Sequence, residues 1–543
     1  MRKIIAGGLA AGMFLLSGGI AAHAADVSAA ETATAEEHRL AFDASRGVQE
    51  SMEFQGKAVA YRAYRDIVYV ARPQSAEWES MNIFVPEAYY QQGTVNGYTA
   101  KTAPIFLPNN VGGYMPGKAG EPSAADPMSG GPNAILTALF RGYVVASPAI
   151  RGRTTTDADG RYVGKAPALI VDYKAAVRYL RHNREALPAG DTEKIISSGT
   201  SAGGALSALL GTTGNCREYA PYLEDIGAAK ERDDIFAAMA YCPITNLEHA
   251  DMAYEWVFQG VDEYHQGGNR MPPAPLGEGN GAPKGMGMPA NLPGRAERPM
   301  NAPRETAAAV RMSQAEIAAS AELKKMFPAY VNWLELKDES GKYLALDMEG
   351  NGSFKDYIAS VYLASAQKAL DSKADLSGIS WLTVKDGKAK AMDFEAYAAS
   401  VTRLKATPAF DKFDLSSGEN DEFGTEQNAP RHFTHFSKER STKQGGMADE
   451  AAIRLMNPMN FIDVPGAKVA EHWRIRHGSE DRDTSMAIPA ILALRLENTR
   501  HSVDFAAAWG KGHAGDYDLP ELFDWMDRIC KRKTGGGFGW SPF

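Results

Sequence analysis

The sequence predicts an α/β protein, a parallel β-sheet covered by helices on both faces and interrupted by a long insertion. Three observations support this class. Short runs rich in β-branched and aromatic residues alternate with amphipathic helical patterns through the first half of the chain. The alternation stops after about residue 244 and returns near residue 470. Strands that alternate with helices form parallel sheets whose faces the helices cover.

The predicted elements of the first half occur in the order expected for such a sheet. Four strands are predicted at 66–71, 80–85, 104–107 and 143–147. A helix follows at 168–187, then a strand at 194–198, a small-residue helix at 202–210 and a further strand at 235–241.

The insertion has a different composition from the sheet-forming segments. Residues 267–303 are dense in Gly, Pro, Met and Asn, which favours a loop, either a flap over an entrance or a disordered excursion. Helices are predicted near 313–325 and 360–370. The sheet pattern then returns with a strand at 470–477, a helix at 485–497, a strand at 502–508 and a final helix at 519–531. We therefore divide the chain into a core formed by 45–244 and 469–543, with an inserted domain at 245–468.

The N-terminus has the pattern of a signal peptide. Arg2 and Lys3 precede an apolar stretch, and Ala22-His23-Ala24 gives the small-x-small signal for cleavage after Ala24. We expect residues 25–44 to be disordered, because they are rich in Ala, Thr and Glu. The mature protein is expected to be periplasmic or extracellular, without a membrane anchor.

Charge and cysteine content exclude several classes of protein. The net charge of −9 argues against a nucleic-acid partner, because there is no basic excess to neutralise phosphates. Three cysteines, with no CxxC spacing, exclude a disulfide-stapled scaffold and a cysteine-based metal motif. Either one bridge or three buried, inert thiols would fit Cys216, Cys242 and Cys530. We expect no metal and no organic cofactor.

The strongest chemical signal is Gly-Thr-Ser-Ala-Gly at 199–203, between a predicted strand and a predicted helix. On such a turn a serine is exposed as a nucleophile, and only small neighbours let the substrate approach. This predicts Ser201 as the nucleophile of an α/β-hydrolase fold, with the N–H of Ala202 at the start of the helix as an oxyanion donor. The alternative is a small-residue turn that only packs the helix on the sheet.

The expected chain order is Ser, then an acid, then His. Asp481 follows the strand 470–477, and His513 follows the strand 502–508, so both side chains belong at the carboxyl ends of adjacent strands. Spacing favours Asp481 over Asp483 but leaves both open. The other downstream histidines lie in the insertion, inside a strand, before the acid or before the last strand: His432, His435, His472, His477 and His501.

A second oxyanion donor is expected in the turn after the strand 104–107. Asn-Val-Gly-Gly at 110–113 fits that place, although the same residues would also be expected in an ordinary turn.

These and further motifs, taken in order, resemble bacterial tannases, which cleave galloyl esters. The resemblance runs from about Phe54 to Cys530. The motifs that carry it are NVGGYMPG at 110–117, IRGRTT at 150–155, GTSAGG at 199–204, AYCPI at 240–244, EHADMAYEW at 248–256, PAFD at 408–411, WRIRHG at 473–478, DRDTS at 481–485 and HAGDYDL at 513–519.

The resemblance implies roles residue by residue. Ser201 matches the family nucleophile, Asp481 the acid and His513 the base, which resolves the choice between the two aspartates. Gly113 matches the oxyanion glycine, beside Ala202.

Three further residues match family contacts to the hydroxyls of the galloyl ring, namely Lys405, Glu419 and Asp483. Without the resemblance, Lys405 and Glu419 would be interpreted as solvated surface charges. Carboxylates can accept hydrogen bonds from adjacent ring hydroxyls while an ammonium donates to another. Because two of the three belong to the insertion, the resemblance implies a lid that completes the acyl pocket.

The residues thus predict a secreted serine esterase, and the resemblance implies galloyl, and also protocatechuoyl, esters as substrates, with phenolic esters as the small-molecule partners. One alternative is a feruloyl or other phenolic-acid esterase, with the same triad and other ring contacts. Another is a non-catalytic polyphenol-binding protein on a hydrolase scaffold, which would be expected to have lost part of the triad.

Overall fold

The computed structural model describes residues 37–126, 130–265 and 309–532. The predicted signal peptide (1–24) and the Gly/Pro/Met-rich stretch 267–303 lie outside these residues. The segment predicted to be disordered, 25–44, is ordered from His38 onward. Its backbone is tied to the core, since His38 N donates to Ala71 O (2.8 Å) and Phe42 N to Asn183 Oδ1 (2.8 Å).

Thirteen strands occur in the described residues. They are β1 (Val48–Phe54), β2 (Lys57–Val68), β3 (Ser80–Pro86), β4 (Pro104–Pro108), β5 (Val144–Pro148), β6 (Asp191–Thr200), β7 (Ala237–Tyr241), β8 (Glu263–His265), β9 (Ala309–Arg311), β10 (Leu382–Lys385), β11 (Lys388–Met392), β12 (His472–Gly478) and β13 (Ser502–Ala508).

Thirteen α-helices accompany them in the same residues. They are α1 (Ala134–Phe140), α2 (Ala168–His182), α3 (Ala202–Thr212), α4 (Ala220–Asp225), α5 (Leu247–Phe258), α6 (Gln314–Trp333), α7 (Ser353–Asp371), α8 (Phe394–Val401), α9 (Gly418–Glu422), α10 (His435–Glu439), α11 (Glu450–Leu455), α12 (Ala487–Asn498) and α13 (Leu519–Cys530).

Nine strands form one sheet in the order β1-β2-β3-β5-β4-β6-β7-β12-β13. The six strands from β5 to β13 in that order are parallel, as predicted. The first three are antiparallel, and the hairpin β1–β2 was not predicted. Its turn, Gln55-Gly56, has positive φ at both residues (50° and 75°), which suits the twist of a two-residue hairpin.

The sheet passes directly from β7 to β12, with Ala237 opposite His472. The strands between them in sequence form two small antiparallel sheets, β8–β9 and β10–β11. Residues 242–471 therefore leave the sheet at the carboxyl end of β7 and return at the start of β12. Active sites of parallel sheets lie at this carboxyl edge, so the excursion begins beside the expected site.

The centre of the sheet is buried on both faces. Every residue of β3, β4, β5 and β7 is buried, and the helices α3 and α12 are almost entirely apolar and inaccessible. Within the described ranges no helix has the length and apolarity needed to span a membrane. The three cysteines are all free and buried.

Candidate active site

Ser201 occupies the sharp turn between β6 and α3. Its backbone has φ 63° and ψ −123°, a region that a residue with a side chain adopts only at a cost of about 1–3 kcal/mol. Two backbone hydrogen bonds hold the turn, from Ser201 N to Tyr241 O (2.9 Å) and from Ile244 N to Ser201 O (3.2 Å). The neighbouring strand β7 and the segment after it thus keep the predicted nucleophile in its strained conformation.

The glycines of the motif are required by space. A Cβ on Gly199 would lie 2.3 Å from Gly203 O, and one on Gly203 would lie 2.5 Å from Asn109 Oδ1. Asn109 fills the remaining room and donates through Nδ2 to Ser198 O and Gly203 O (both 3.1 Å). The loop after β4 therefore packs directly on the nucleophile turn.

The two predicted oxyanion donors belong to these two segments. Ala202 is the first residue of α3, so its N–H has no acceptor within the helix. Gly113 has φ +56° and lies in the exposed part of the loop after β4. The loop is fixed by Gly203 N, which donates to Val111 O (3.1 Å), and by Arg153 Nε, which donates to Gly113 O (3.0 Å).

The structure brings Asp481 and His513 together. Nδ1 of His513 lies 2.8 Å from Oδ2 of Asp481, whose side chain is fully buried. The other carboxylate oxygen accepts from the backbone N–H of Asp483 (2.8 Å). Burial alone would lower the pKa of His513, but the charge and hydrogen bond of Asp481 raise it well above its ordinary value.

Ser201 and His513 are placed in neighbouring segments without a completed hydrogen bond. A Cβ on Gly515 would lie 1.9 Å from Oγ1 of Thr200, so the loop of His513 touches the residue before Ser201. Over the described ranges, however, Nε2 of His513 has no hydrogen-bond partner. Such bonds are often formed only when substrate is bound.

Lys405 and Asp483 also meet. Nζ of Lys405 donates to Asp483 O (3.0 Å) and lies 3.4 Å from Asp483 Oδ1. Burial would lower the pKa of Lys405, but the charges of Asp483 and Glu419 raise it above its ordinary value, so the ammonium stays charged. The ammonium lies 4.2 Å from the centre of the Phe410 ring, with which it makes a cation–π contact.

Glu419 stands on the short helix α9, which Arg153 connects to the oxyanion loop. The Arg153 guanidinium donates to Asp421 of α9 as well as to Gly113 O. A Cβ on Gly418 would lie 3.4 Å from Nε of Arg153. Glu419 therefore lies on an element that Arg153 ties to the loop of Gly113. Its charge also acts on the Lys405 ammonium.

Comparison with known proteins identifies the family. The BD-FAE family matches residues 113–265. A native structure of tannin acyl hydrolase from Lactobacillus plantarum is 43% identical, with a TM-score of 0.81, over 91% of this chain and 99% of that chain. The structure of Fusobacterium nucleatum tannase is 45% identical, with a TM-score of 0.81, over 91% of this chain and 100% of that one.

The chain belongs to the tannase family. It is a carboxylic ester hydrolase with the α/β-hydrolase fold, and the predicted resemblance and fold class are both confirmed. A third structure, tannin acyl hydrolase in complex with ethyl gallate, is 43% identical, with a TM-score of 0.80, over 91% of this chain and 99% of that chain. No curated protein matches the chain.

In this tannase-family enzyme, Tyr254 makes contacts around the candidate site that the sequence did not reveal. Its hydroxyl accepts from Leu404 N (3.0 Å) and Lys405 N (3.3 Å) and donates to Arg482 O (2.9 Å). One side chain of α5 thus joins the segment of Lys405 to the loop between Asp481 and Asp483. The only sequence signal for it was its place in one of the family motifs, EHADMAYEW.

Two further residues adjoin the predicted acid and base, Asp481 and His513. Cys242, directly after β7, has a thiol that donates to Ala514 O (3.4 Å). His477, which the sequence placed before the acid, is fully buried, and its Nδ1 lies 3.6 Å from Asp481 Oδ2. Both lie in the family motifs, but their residue types alone gave no indication of these contacts.

His432, another candidate base by residue type, belongs to a separate hydrogen-bonded row. Its Nδ1 lies 2.7 Å from Asp411 Oδ1, and its Nε2 lies 2.8 Å from Oγ of Ser441. The ring is fully inaccessible, and Ser441 Oγ also donates to the backbone at Lys443 O (2.7 Å). Because no substrate can reach this ring, the row is a structural network.

Proposed function

We propose that the enzyme hydrolyses galloyl esters, those of hydrolysable tannins and of simple gallates, through a Ser–His–Asp acyl-enzyme mechanism. The observation that carries the proposal is the pair Asp481–Asp483. Asp481 holds His513 at 2.8 Å, and Asp483, two residues later, faces the Lys405 ammonium at 3.4 Å. One loop therefore joins a base-orienting acid to a charged pair suited to a polyhydroxylated ring.

The proposed reaction has two steps. Ser201 Oγ attacks the ester carbonyl carbon while His513 Nε2 takes its proton, and the N–H groups of Ala202 and Gly113 donate to the oxyanion. The C–O bond to the alcohol breaks as His513 returns the proton to the leaving oxygen. Water then attacks the acyl-enzyme by the same route and releases gallic acid. Asp481 stabilises the imidazolium in both steps.

The acyl group would be selected by its ring hydroxyls. Asp483 and Glu419 can accept hydrogen bonds from them, and the Lys405 ammonium can donate to another. The ethyl gallate held by the related tannin acyl hydrolase supports this substrate class. A protocatechuoyl ring keeps two adjacent hydroxyls and should remain a substrate. A ring without hydroxyls would leave the charged groups unpaired and be rejected.

We further propose that residues 245–468 act as a lid that completes the acyl pocket, because Lys405 and Glu419 both come from this segment. We also propose that the enzyme is exported to the periplasm or the medium. The basic start, apolar stretch and cleavage pattern of residues 1–24 support export.

The first test is steady-state hydrolysis of methyl gallate, methyl benzoate and methyl ferulate by the mature protein. We expect a strong preference for the gallate ester and no turnover by Ser201→Ala, with both proteins equally folded by circular dichroism. Lys405→Met should lower kcat/KM for methyl gallate about 5- to 150-fold, the equivalent of about 1–3 kcal/mol, and leave methyl benzoate nearly unchanged.

The other outcomes are equally informative. Equal rates on the three esters would retain the serine esterase and remove galloyl selectivity. Turnover by Ser201→Ala would exclude this nucleophile. No turnover of any ester by a folded protein would favour a binding protein on a hydrolase scaffold.

A further inference from the structure

A thiol, a carboxylate and an imidazole converge where β7 and β12 end. One ligand atom each from Cys242, Asp481 and His513 lies within 4.8 Å of the other two. The sulfur lies against the loop of His513, because the thiol donates to Ala514 O. Cysteine, histidine and carboxylate side chains are the ligands that Zn²⁺ takes in proteins.

A second imidazole adjoins this group and has no other partner. His477 is fully buried, and within the described part of the chain neither of its ring nitrogens makes a hydrogen bond. Its Nδ1 lies 3.6 Å from Oδ2 of Asp481, the same oxygen that faces His513. Buried polar groups without a partner are rare in native proteins, so this unpartnered ring is a second observation that points to a ligand at the group.

We propose that Cys242, His477, Asp481 and His513 form a binding site for a thiophilic divalent cation such as Zn²⁺, and that this cation reversibly inactivates the enzyme. Cys242, Asp481 and His513 would supply three ligands of the types that Zn²⁺ takes, and His477, whose Nδ1 lies 3.6 Å from Asp481 Oδ2, adjoins them as a further imidazole.

Charge balance favours the cation in this buried place. On binding, the Cys242 thiol would release its proton to solvent, and the resulting thiolate and the Asp481 carboxylate would together offset two positive charges.

The site should discriminate between cations. Mg²⁺ and Ca²⁺ prefer six or more oxygen ligands, and only the carboxylate of Asp481 offers any here. Soft thiolate and imidazole ligands favour Zn²⁺ and Cd²⁺ instead. Inactivation follows because a coordinated His513 nitrogen can no longer accept the Ser201 proton; this half of the inference rests on the proposed function, while the binding itself does not.

The test titrates Zn²⁺ into chelator-treated full-length protein and measures two quantities. The first is methyl gallate hydrolysis, expressed relative to each variant's own rate without metal. The second is calorimetric Zn²⁺ binding to Ser201→Ala, which does not depend on turnover. Cys242→Ser keeps a donor for Ala514 O, and Cys216→Ser is the matched control at a buried cysteine outside the group.

We expect one Zn²⁺ per chain and inhibition that EDTA reverses, with Mg²⁺ without effect at the same concentrations. Cys242→Ser should raise the half-inhibitory concentration and the Kd at least about tenfold, whereas Cys216→Ser should match the parent. Equal Zn²⁺ affinity of Cys242→Ser and the parent by calorimetry would overturn the proposal. If no variant hydrolyses methyl gallate, the proposed function fails, and calorimetry alone still decides whether the site exists.

Discussion

At the scale of single residues, the carboxylate of Asp481 has the most demanding surroundings in the enzyme. It is fully buried, accepts from His513 and from the N–H of Asp483, and faces His477. Burial would raise its pKa, but the charges of His513 and His477 hold it far below the ordinary value. It therefore stays ionised, which its proposed role of stabilising an imidazolium requires.

Asp481→Asn tests that role through the pH profile of kcat/KM on methyl gallate. The base must be neutral to act, and Asp481 raises its pKa, so activity falls as the pH drops below that raised value. Without the carboxylate the acidic limb should move to lower pH, and the maximal rate should fall by about 10⁴-fold. Asp483→Asn, the control, should weaken methyl gallate but leave the limb in place. An unshifted limb in Asp481→Asn would assign the orienting role to another group.

The sequence could indicate candidate residues where the chemistry depends on local order, and it gave no indication of contacts that depend on folding. Ser201 was indicated by its motif between a strand and a helix, and Asp481 and His513 by their places after late strands. The choice between Asp481 and Asp483, and any role for Lys405, required the family resemblance. Contacts of Tyr254 are set by α5 meeting two loops more than 140 residues away in sequence, which no local pattern encodes.

At the scale of elements, helix α5 anchors the segment that carries Lys405. Glu255 of α5 pairs with Arg403 (2.5 Å), and both side chains are fully inaccessible. Thr407 and Ser320 also donate to this carboxylate.

The strand pattern of the sheet was predicted in order, whereas the hairpin β1–β2 was not, because its half-exposed strands lack a continuous apolar run.

Removing Glu255 should show how far the segment depends on this buried pair. Glu255→Ala leaves a buried guanidinium without its counter-ion and should lower the free energy of unfolding by about 3–5 kcal/mol. Glu322→Ala, which breaks an exposed pair with Arg440, should cost at most about 1 kcal/mol. Urea unfolding measures both. Equal losses in the two variants would mean that the Arg403 pair has no special role.

At the scale of the whole molecule, the enzyme is one sheet assembled from two distant parts of the chain. Residues up to 241 and from 472 onward pair in register, and the intervening segment supplies two of the three proposed ring contacts. Neither the proposed triad nor the proposed pocket can form until β12 has joined β7. The sequence pattern alone predicted this interruption, since the alternation of predicted strands and helices stops after about residue 244 and resumes near residue 470.

The proposed export can be tested by expressing the whole chain and measuring the mass and location of the product. When the full-length chain is expressed in a bacterium with signal peptidase, the mature protein should begin at Ala25, which leaves 543 − 24 = 519 residues. Intact-mass spectrometry of the periplasmic fraction and the medium measures this. Ala24→Leu breaks the small-x-small pattern and should keep the leader attached. An unprocessed parent protein found only in the cytoplasm would contradict export.

The hydrogen bond from Asp483 N to Asp481 Oδ1 has a consequence for how new specificities can arise. Because the backbone N–H of one proposed ring contact also binds the proposed acid of the triad, an insertion, deletion or proline in this loop should alter acyl preference and rate together. Glu419 lies on a separate helix without that link. Evolution or laboratory selection toward other phenolic acids should therefore accept changes around Glu419 first and reach residues 481–483 last.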